Sequence, residues 1–201
     1  MSTLTVFTPL YNRINTLKRT YESLKRQTSK DFVWLIIDDG STDNPYEIIK
    51  EWIKINNGFE IKYVYKENGG MHTAHNTAYE NIDTELNVCV DSDDYMPDNA
   101  VQLIIDCWNK NKNKGYAGII ALDFADSTKK VIGKELPTDK ESTTLMGYYN
   151  NGGFGDKKLI YRTDIIKQTP PYPVFDNEKY VALAYKYHLI DEKYELKIVN
   201  E

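Results

Sequence analysis

The stretch FVWLIIDDGSTD, residues 32–43, joins a continuous apolar run to an acidic turn. An uninterrupted apolar run of this length is typical of a strand covered on both faces, as in parallel sheets flanked by helices. Similar runs precede and follow it, and segments with helical spacing separate them. We therefore predict βαβ units and an α/β fold with a mainly parallel sheet. The predicted strands are 4–9, 32–37, 61–65, 86–90 and 117–122. The first predicted helix follows a cap at Asn15, the second begins at about Pro45, and the others span 72–81 and 100–108.

Polar clusters follow four of these predicted strands. They are TPLYNR at 8–13, DDGSTD at 38–43, KENGGMH at 66–72 and DSDD at 91–94. In open α/β sheets, ligands bind in the crevice at the carboxyl ends of the strands. We therefore expect the four clusters to meet at one edge of the sheet.

Length and composition limit the class of protein. The chain has 201 residues and a formal net charge of -5, which fits one domain and gives no electrostatic reason to expect nucleic-acid binding. No apolar stretch approaches the ~20 residues that span a bilayer. A cytoplasmic location is the resulting expectation, with peripheral attachment to the inner face of the membrane left open. Cys89 and Cys107 are too few for a disulfide framework, so we predict buried free thiols.

The sequence becomes less regular after about residue 126. We predict a hairpin at 129–132, a strand at 158–161, helices at 163–168 and 177–187, and a final strand at 195–199. A glycine-rich turn, NGGFGD, occupies 151–156. The chain stops soon after the final predicted strand, at Glu201.

The DSDD cluster does not continue as a calcium-binding EF-hand loop, because Tyr95, Met96 and Gln102 stand where ligands or the glycine would be. Two carboxylates alone bind a cation weakly, but a substrate phosphate can supply the missing oxygens for Mg²⁺ and similar ions. Asp91 and Asp93 would face the crevice if the backbone stays extended. The alternative is a turn that only leads into the next helix.

The KENGGMH cluster contains paired glycines rather than paired carboxylates. Gly69 and Gly70 would let the backbone approach a ligand at the start of a helix, where amides can face an anion. It is neither a Walker loop nor a dinucleotide fingerprint. His72 and His75 lack a third ligand in the pattern that zinc sites require.

Taken in order, the four clusters resemble the inverting glycosyltransferases of family 2, and QTSKDFVWLIIDDGSTD at 27–43 resembles a characteristic run of that family. The resemblance implies the GT-A fold, a Rossmann-like fold of nucleotide-diphospho-sugar transferases with a central sheet flanked by helices. It implies one domain over 1–201, with a nucleotide-binding half at 1–95 and an acceptor-binding half at 96–201. Many family members continue past the point where this chain ends, so either the fold is compact or the acceptor half is truncated.

The resemblance also implies roles for residues in the four clusters. Asp39, with Asp38 nearby, would accept the uracil imide N–H, which suits an acceptor-only carboxylate. Asp93, together with Asp91, would ligate Mn²⁺ or Mg²⁺ between the two phosphates, with Asp94 beside them. The implied nucleotide-sugar-binding set is Thr8, Pro9 and Tyr11 near the base, Asn68, Gly69 and Gly70 near the ribose and diphosphate, and Arg13, Asp38, Asp39, Lys66, Asn76, Asp91 and Ser92.

An inverting transfer also needs a base opposite the leaving group, to take the proton of the acceptor hydroxyl. The family carries this carboxylate in a motif ending in Glu-Asp, whereas the matching stretch VFDNEKY at 174–180 reads Asn-Glu. Glu178 is the first candidate and Asp176 the second. The alternative for this stretch is a capped helix start with Asp176 or Asn177 as N-cap. Asp156 is implied to help hold the acceptor.

These implications give one expected function and two alternatives. The expected function is metal-dependent, inverting transfer of a sugar from a nucleotide diphosphate donor, with UDP favoured, to a hydroxyl of a glycan or lipid-linked acceptor. A non-catalytic nucleotide-sugar-binding module follows if 177–178 supplies no base. A sugar-phosphate nucleotidyltransferase is disfavoured, because TPLYNR is not the glycine-rich basic loop that follows the first strand of those enzymes.

Overall fold

The computed structural model describes residues 2–201 and contains eight strands in one sheet. The elements of the first part are β1 (Leu4–Leu10), α1 (Ile14–Lys25), β2 (Phe32–Asp39), α2 (Pro45–Lys54), β3 (Glu60–Lys66), α3 (Met71–Asn81), β4 (Leu86–Cys89) and α4 (Ala100–Asn111). Those that follow are a 3₁₀ turn (Lys112–Lys114), β5 (Gly118–Leu122), β6 (Ser142–Thr143), α5 (Leu145–Asn150), β7 (Lys157–Arg162), α6 (Thr163–Gln168), α7 (Ala184–Asp191) and β8 (Leu196–Ile198).

The sheet has the order β3-β2-β1-β4-β7-β5-β8-β6. The pairs β3/β2, β2/β1, β1/β4 and β5/β8 are parallel, as predicted for a mainly parallel sheet. β7 enters between β4 and β5 in the opposite direction and is antiparallel to both. The short edge strand β6 is also antiparallel to β8, so the part of the sheet beyond β4 is mixed. The β4/β7 pairing joins the two halves of the chain in one continuous sheet.

Helices cover both faces of the sheet, which explains the uninterrupted apolar run in β2. Trp34 and Ile36 pack in a core with residues of α1, α2 and α4. Leu35 and Ile37, which alternate with them, pack in a second core with residues of α3 and α6. Because successive side chains of a strand point to opposite faces, a strand between two helical layers must be apolar at every position.

The strand order reverses between β1 and β4, since β2 and β3 lie on one side of β1 and β4 lies on the other. The crossover helices change sides accordingly: α1 and α2 contribute to one core and α3 to the other. A crevice forms at such a reversal, at the carboxyl ends of the two central strands. The loops that follow β1 and β4 therefore open toward the same space.

Several local predictions differ from the structure. The helix predicted at 177–187 is wrong, because α7 begins only at Ala184 and residues 174–180 form a turn with a bridge between Phe175 and Glu178. The N-cap alternative for Asp176 or Asn177 is wrong for the same reason. α1 begins at Ile14 rather than after a cap at Asn15. Cys89 and Cys107 are free thiols, as predicted, but both are half-buried.

No helix within residues 2–201 is long and apolar enough to cross a membrane.

Candidate functional site

A cleft of about 410 Å³ lies at the carboxyl ends of the central strands. It is lined by residues from all four polar clusters, by Ala74 of α3 and by one residue from the second half of the chain. The lining residues are Pro9, Leu10, Tyr11, Arg13, Asp39, Asn68, Gly70, Met71, Ala74, Asp91, Ser92, Asp93 and Lys179. The structure thus brings together the four clusters that the sequence places after separate strands.

Asp39, the last residue of β2, organises one wall of this cleft. Its side chain is almost completely buried and accepts four hydrogen bonds. Lys66 Nζ (2.5 Å) and the Gly69 amide (3.0 Å) donate to Oδ1, while the Gly70 amide (2.9 Å) and Asn68 Nδ2 (3.1 Å) donate to Oδ2. Four donors fill the usual acceptor capacity of a carboxylate. A uracil imide could therefore donate to Asp39 only if one of these four hydrogen bonds breaks.

The paired glycines after β3 follow from this arrangement. Their amides face an anion, but in this structure the anion is the carboxylate of Asp39. A Cβ at Gly69 would lie 2.7 Å from Thr73 Oγ1, and Gly70 has a φ of +94° and leaves no room for a Cβ beside the Lys179 carbonyl. The glycines therefore allow close packing of the loop against its neighbours.

The loop after β1 is fastened to the loop after β2. Asn12 has a left-handed backbone conformation. Its Oδ1 accepts a hydrogen bond from the Thr42 amide at 2.7 Å, and its backbone N–H donates to Ser41 Oγ at 3.0 Å. Asp43 accepts from the Ile14 amide at 3.0 Å and so satisfies a free N–H at the start of α1. These contacts hold Tyr11 and Arg13 at the cleft, since both flank Asn12 in the chain.

The DSDD segment is a turn rather than an extended continuation of β4. β4 ends at Cys89, and the Asp94 amide donates to the Asp91 carbonyl at 2.9 Å. Asp91 and Asp93 nevertheless both line the cleft, and Asp94 is not among the lining residues. The turn, not strand alternation, is the reason for this placement.

Two cations already offset charge in this acidic turn. Arg13 Nη1 lies 2.5 Å from Asp93 Oδ2. Lys158, on β7, lies 3.4 Å from Asp123 Oδ1; although burial opposes its charge, Asp123 and nearby carboxylates hold the pKa of Lys158 above its usual range. The crowded acids are therefore partly balanced by the protein itself.

The charged form of the Asp91 carboxylate is costly in this turn, because the group is desolvated. Desolvation raises the pKa of its carboxyl above the usual range; Lys158 opposes the rise, and Asp94 and Asp93 add to it. None of the ion pairs within residues 2–201 includes Asp91. A cation bound beside this carboxylate would therefore remove an electrostatic cost.

The donor set at the cleft fits a hard divalent cation only in part. Within the described residues, no three His, Cys, Asp or Glu side chains converge on a common metal position. Asp91 and Asp93 are two oxygen ligands on one turn, and Mg²⁺ and related ions are usually held by one or two carboxylates plus substrate phosphates and water. The pair fits a cation that binds together with a phosphorylated substrate.

The second half of the chain reaches the cleft through residues 174–180. Lys179 lines the cleft, and its Nζ donates to Asn68 Oδ1 at 2.7 Å. Glu178, the neighbouring residue, is not among the lining residues, and its Oε1 accepts from the Tyr180 amide at 2.8 Å. Asp176 is exposed and also lies outside the lining set. Neither candidate base therefore faces the cleft in this structure.

Five other predicted residues lie behind or beside the lining. Thr8 is buried and accepts from Trp34 Nε1 at 3.0 Å, and Asp38 accepts from Tyr63 and from the Ser41 amide. Asn76 Nδ2 donates to the Tyr172 carbonyl and Asn76 Oδ1 accepts from the Tyr172 backbone amide, both at 2.9 Å. This pair of hydrogen bonds anchors the second half of the chain. The other two are Lys66 and Gly69, which contact the lining through Asp39.

Asp156 lies in the loop that leads into β7. Because β7 runs antiparallel to β4, its amino end lies at the same edge of the sheet as the cleft. The side chain is exposed. Burial is the main cause that raises the pKa of the Asp123 carboxyl, and the charge of Asp156 adds to the rise. Asp156 is thus near the acidic turn but outside the cleft lining.

Sequence reasoning missed Lys179, Leu10, Met71 and Ala74 in the lining. Leu10, Met71 and Ala74 adjoin predicted loop residues, so their positions could have been read from the ends of β1 and α3. Lys179 lies in an irregular segment without periodicity, and only its contact with Asn68 reveals its place.

The sequence of the chain matches a known protein family. The model for glycosyl transferase family 2 matches residues 5–169, which includes all four polar clusters. The chain belongs to glycosyl transferase family 2. An uncharacterized glycosyltransferase of Rickettsia conorii is 30% identical to this family 2 chain over 148 residues, covering 71% of the chain and 24% of the relative. The chain therefore spans about a quarter of the length of that relative.

Solved structures of glycosyltransferases share the fold. One is the structure of residues 1–349 of TarS from S. aureus in complex with UDP-GlcNAc. The match covers 98% of this family 2 chain and 55% of the TarS chain, with a TM-score of 0.70 and 20% identity. The mannosyltransferase PcManGT from Pyrobaculum calidifontis, in complex with GDP-Man and Mn²⁺, matches 98% of this chain and 54% of its own, with a TM-score of 0.64 and 15% identity. The family 2 chain thus has the GT-A fold that the motif order implies.

Proposed function

We propose that the chain transfers a sugar from a nucleoside diphosphate donor, with UDP favoured, to a hydroxyl of a glycan or lipid-linked acceptor, with inversion. The observation that carries this proposal is the cleft at the strand reversal, which is lined by all four clusters of the family pattern. Donor-bound structures of the same fold support a nucleotide-sugar ligand, because TarS was crystallised with UDP-GlcNAc and PcManGT with GDP-Man. The proposal includes action in the cytoplasm, at or near the inner face of the membrane.

The donor would lie with its base near Pro9 and Tyr11 and its diphosphate toward the acidic turn. Tyr11 is half exposed and borders the cleft, so its ring is available to a nucleobase. Asp39 would act mainly by holding Asn68 and Gly70 in place, because its four acceptor positions are already used. Asp91 would contact the ribose or sugar.

Mn²⁺ or Mg²⁺ is proposed as a cofactor, held by Asp93 with Asp91. When bound, the ion would neutralise the charge that develops on the departing nucleoside diphosphate. The cleft lining contains three carboxylates and two cations, so it does not attract a diphosphate by charge alone. The Arg13 guanidinium, now paired with Asp93, would become available to the phosphates if this pair opens.

Glu178 is proposed as the base that takes the acceptor proton, with Asp176 as the second candidate. Both are exposed on the segment that crosses the edge of the cleft, so residues 174–180 would have to rearrange to bring either one to an acceptor. Asp156, beside the acidic turn, is proposed to bind an acceptor hydroxyl.

Release of nucleoside diphosphate from a panel of UDP-, GDP- and dTDP-sugars tests the proposal. The chain should release the diphosphate from one nucleotide class in Mn²⁺ and lose this activity in EDTA. A matched reaction with the Asp93→Asn variant separates metal use at the cleft from background hydrolysis. Failure to turn over any donor, with any acceptor glycan tried, would contradict the transferase assignment.

A nucleotide-sugar-binding module without catalysis is the second candidate. The observation that favours it is the outward position of Glu178 and Asp176. Both candidates predict a thermal shift with UDP and Mn²⁺, but only the transferase predicts consumption of the donor. Binding without consumption would therefore support the module.

A further inference from the structure

Lys179 is a cation in the cleft that the proposed donor-binding set does not include. It comes from the second half of the chain, whereas every other lining residue lies between Pro9 and Asp93. Its side chain is exposed toward solvent and borders the same space as Asn68, Gly70 and Asp93. The segment that carries it therefore closes one side of the cleft.

The position of Lys179 is fixed through a series of hydrogen bonds that starts at Asp39. Asn68 Nδ2 donates to the Asp39 carbonyl at 2.9 Å and to its Oδ2 at 3.1 Å, and this orients the amide. The free Oδ1 of Asn68 then accepts from Lys179 Nζ at 2.7 Å. The ammonium is thus held by a neutral acceptor whose own orientation is fixed.

The backbone of the same segment is packed closely on the loop after β3. Gly70 has a φ of +94°, and a Cβ at this position would overlap the carbonyl oxygen of Lys179. The absence of a side chain at Gly70 is therefore what allows Lys179 to approach the start of α3. This contact is independent of the side-chain hydrogen bond to Asn68.

Lys179 differs from the other cations around the cleft in having no carboxylate partner. Arg13 pairs with Asp93 and Lys66 pairs with Asp39, at 2.5 Å each. None of the ion pairs found within residues 2–201 includes Lys179. An ammonium group has three N–H donors, and the contact with Asn68 uses one of them.

We infer that Lys179 binds the diphosphate of the donor and stabilises its charge as it leaves. The inference rests on the proposed function, since it needs a nucleoside diphosphate in the cleft. A lysine serves phosphates as a compact charge with several donors. In this arrangement the donor site is completed only when the second half of the chain lies across the cleft, so the acceptor half contributes directly to donor binding.

The neighbouring residues of this segment have separate tasks. Lys179 faces the cleft, whereas Glu178 lies outside the lining and bonds the Tyr180 amide. A movement of 174–180 that brings Glu178 to an acceptor would also move Lys179, so binding of the diphosphate and placement of the base are linked through this short segment.

Titration of uridine, UMP and UDP in Mn²⁺ tests the inference, with the wild-type chain, Lys179→Gln and Lys179→Arg. Because exposed charge-assisted hydrogen bonds are partly screened, we expect Lys179→Gln to weaken UDP binding about fivefold. UMP should be affected less and uridine not at all, and Lys179→Arg should retain most of the UDP affinity. The matched control is Lys193→Gln, an exposed lysine just before β8 at the opposite edge of the sheet.

The outcomes separate this inference from the proposed function. Unchanged UDP binding in Lys179→Gln, with UDP bound by the wild type, would overturn the inference and leave the proposed function in place. An equal loss for uridine and UDP would also overturn it, because it would indicate a structural role in shaping the cleft. Absence of nucleotide binding by the wild-type chain would overturn both.

Discussion

Replacement of Asp39 by Asn tests whether this carboxylate organises the cleft. Asn is nearly isosteric, but it retains one acceptor oxygen and turns the other into an NH₂ donor. The four donors around Asp39 are Lys66 Nζ, two glycine amides and Asn68 Nδ2, so the new amide nitrogen would face at least one N–H. Lys66 would also lose its charged partner.

The expected loss of stability follows from the burial of the pair. The side chain of Asp39 is 6% exposed and that of Lys66 19% exposed. Removal of one partner of a buried pair costs about 3–5 kcal/mol, and we take the lower end because Lys66 regains some hydration. A loss of about 3 kcal/mol corresponds to roughly 6–12 °C in Tm for a domain of this size.

Urea titration and thermal unfolding measure this change, with Asp98→Asn as the matched control. Asp98 and Arg26 form an ion pair at 3.0 Å with side chains 58% and 53% exposed, and such surface pairs contribute about 0–1 kcal/mol. Asp39→Asn should therefore lose both stability and UDP binding, while Asp98→Asn changes neither by much. An Asp39→Asn variant that is as stable as Asp98→Asn but fails to bind UDP would contradict an organising role, because Asp39 would then act as a direct ligand contact.

Four further predictions concern the metal, the base, the crossing segment and pH. Asp93→Asn should remove the Mn²⁺-dependent part of the UDP-induced thermal shift, and an unchanged shift would contradict the metal assignment. Glu178→Gln should retain UDP binding but lower the transfer rate about 10²–10⁴-fold, the range for general-base catalysis; a normal rate would transfer the role to Asp176. Gly70→Ala should weaken UDP binding, because a Cβ at this position overlaps the Lys179 carbonyl, and UDP titration should give a larger dissociation constant than for wild type. Equal affinity would show that residues 174–180 are not held against the start of α3. Burial, with His72 adding to it, lowers the pKa of His75 to about 3. The His75 imidazole therefore stays neutral in the folded chain but is protonated in the unfolded chain below about pH 6.5, so the free energy of unfolding falls as the pH falls through this window. Between about pH 7 and pH 5 the wild type should lose roughly 2 kcal/mol more than His75→Gln in urea titrations; equal losses would contradict a buried neutral His75.

The first half of the fold could be predicted closely because its signals are strong. The apolar runs of β2 to β5 adjoin turns that contain glycine or acidic residues, and every predicted boundary of β1 to β5 lies within two residues of the observed one. The carboxyl-end rule then placed the loops around Tyr11, Asp39, Asn68 and Asp93 at a common edge.

The second half was less predictable for physical reasons. The segment 177–183 has residues compatible with a helix, but its contacts with Gly70 and Asn68 hold it in a non-helical path. Tertiary contact overrides local preference in such cases. β6 has only two residues and therefore no periodicity to read. The four hydrogen bonds at Asp39 were equally hidden, because partners from a different loop leave no sequence pattern.

Isothermal titration of UDP into the wild-type chain, first with Mn²⁺ and then after its removal by EDTA, tests whether the cleft is a metal-assisted nucleoside diphosphate site. We predict one UDP per chain and an affinity in Mn²⁺ about tenfold or more above that in EDTA, since the cation offsets negative charge of the diphosphate and of the acidic turn. Lack of UDP binding in Mn²⁺, or equal affinity in both conditions, would contradict a metal-assisted nucleoside diphosphate site.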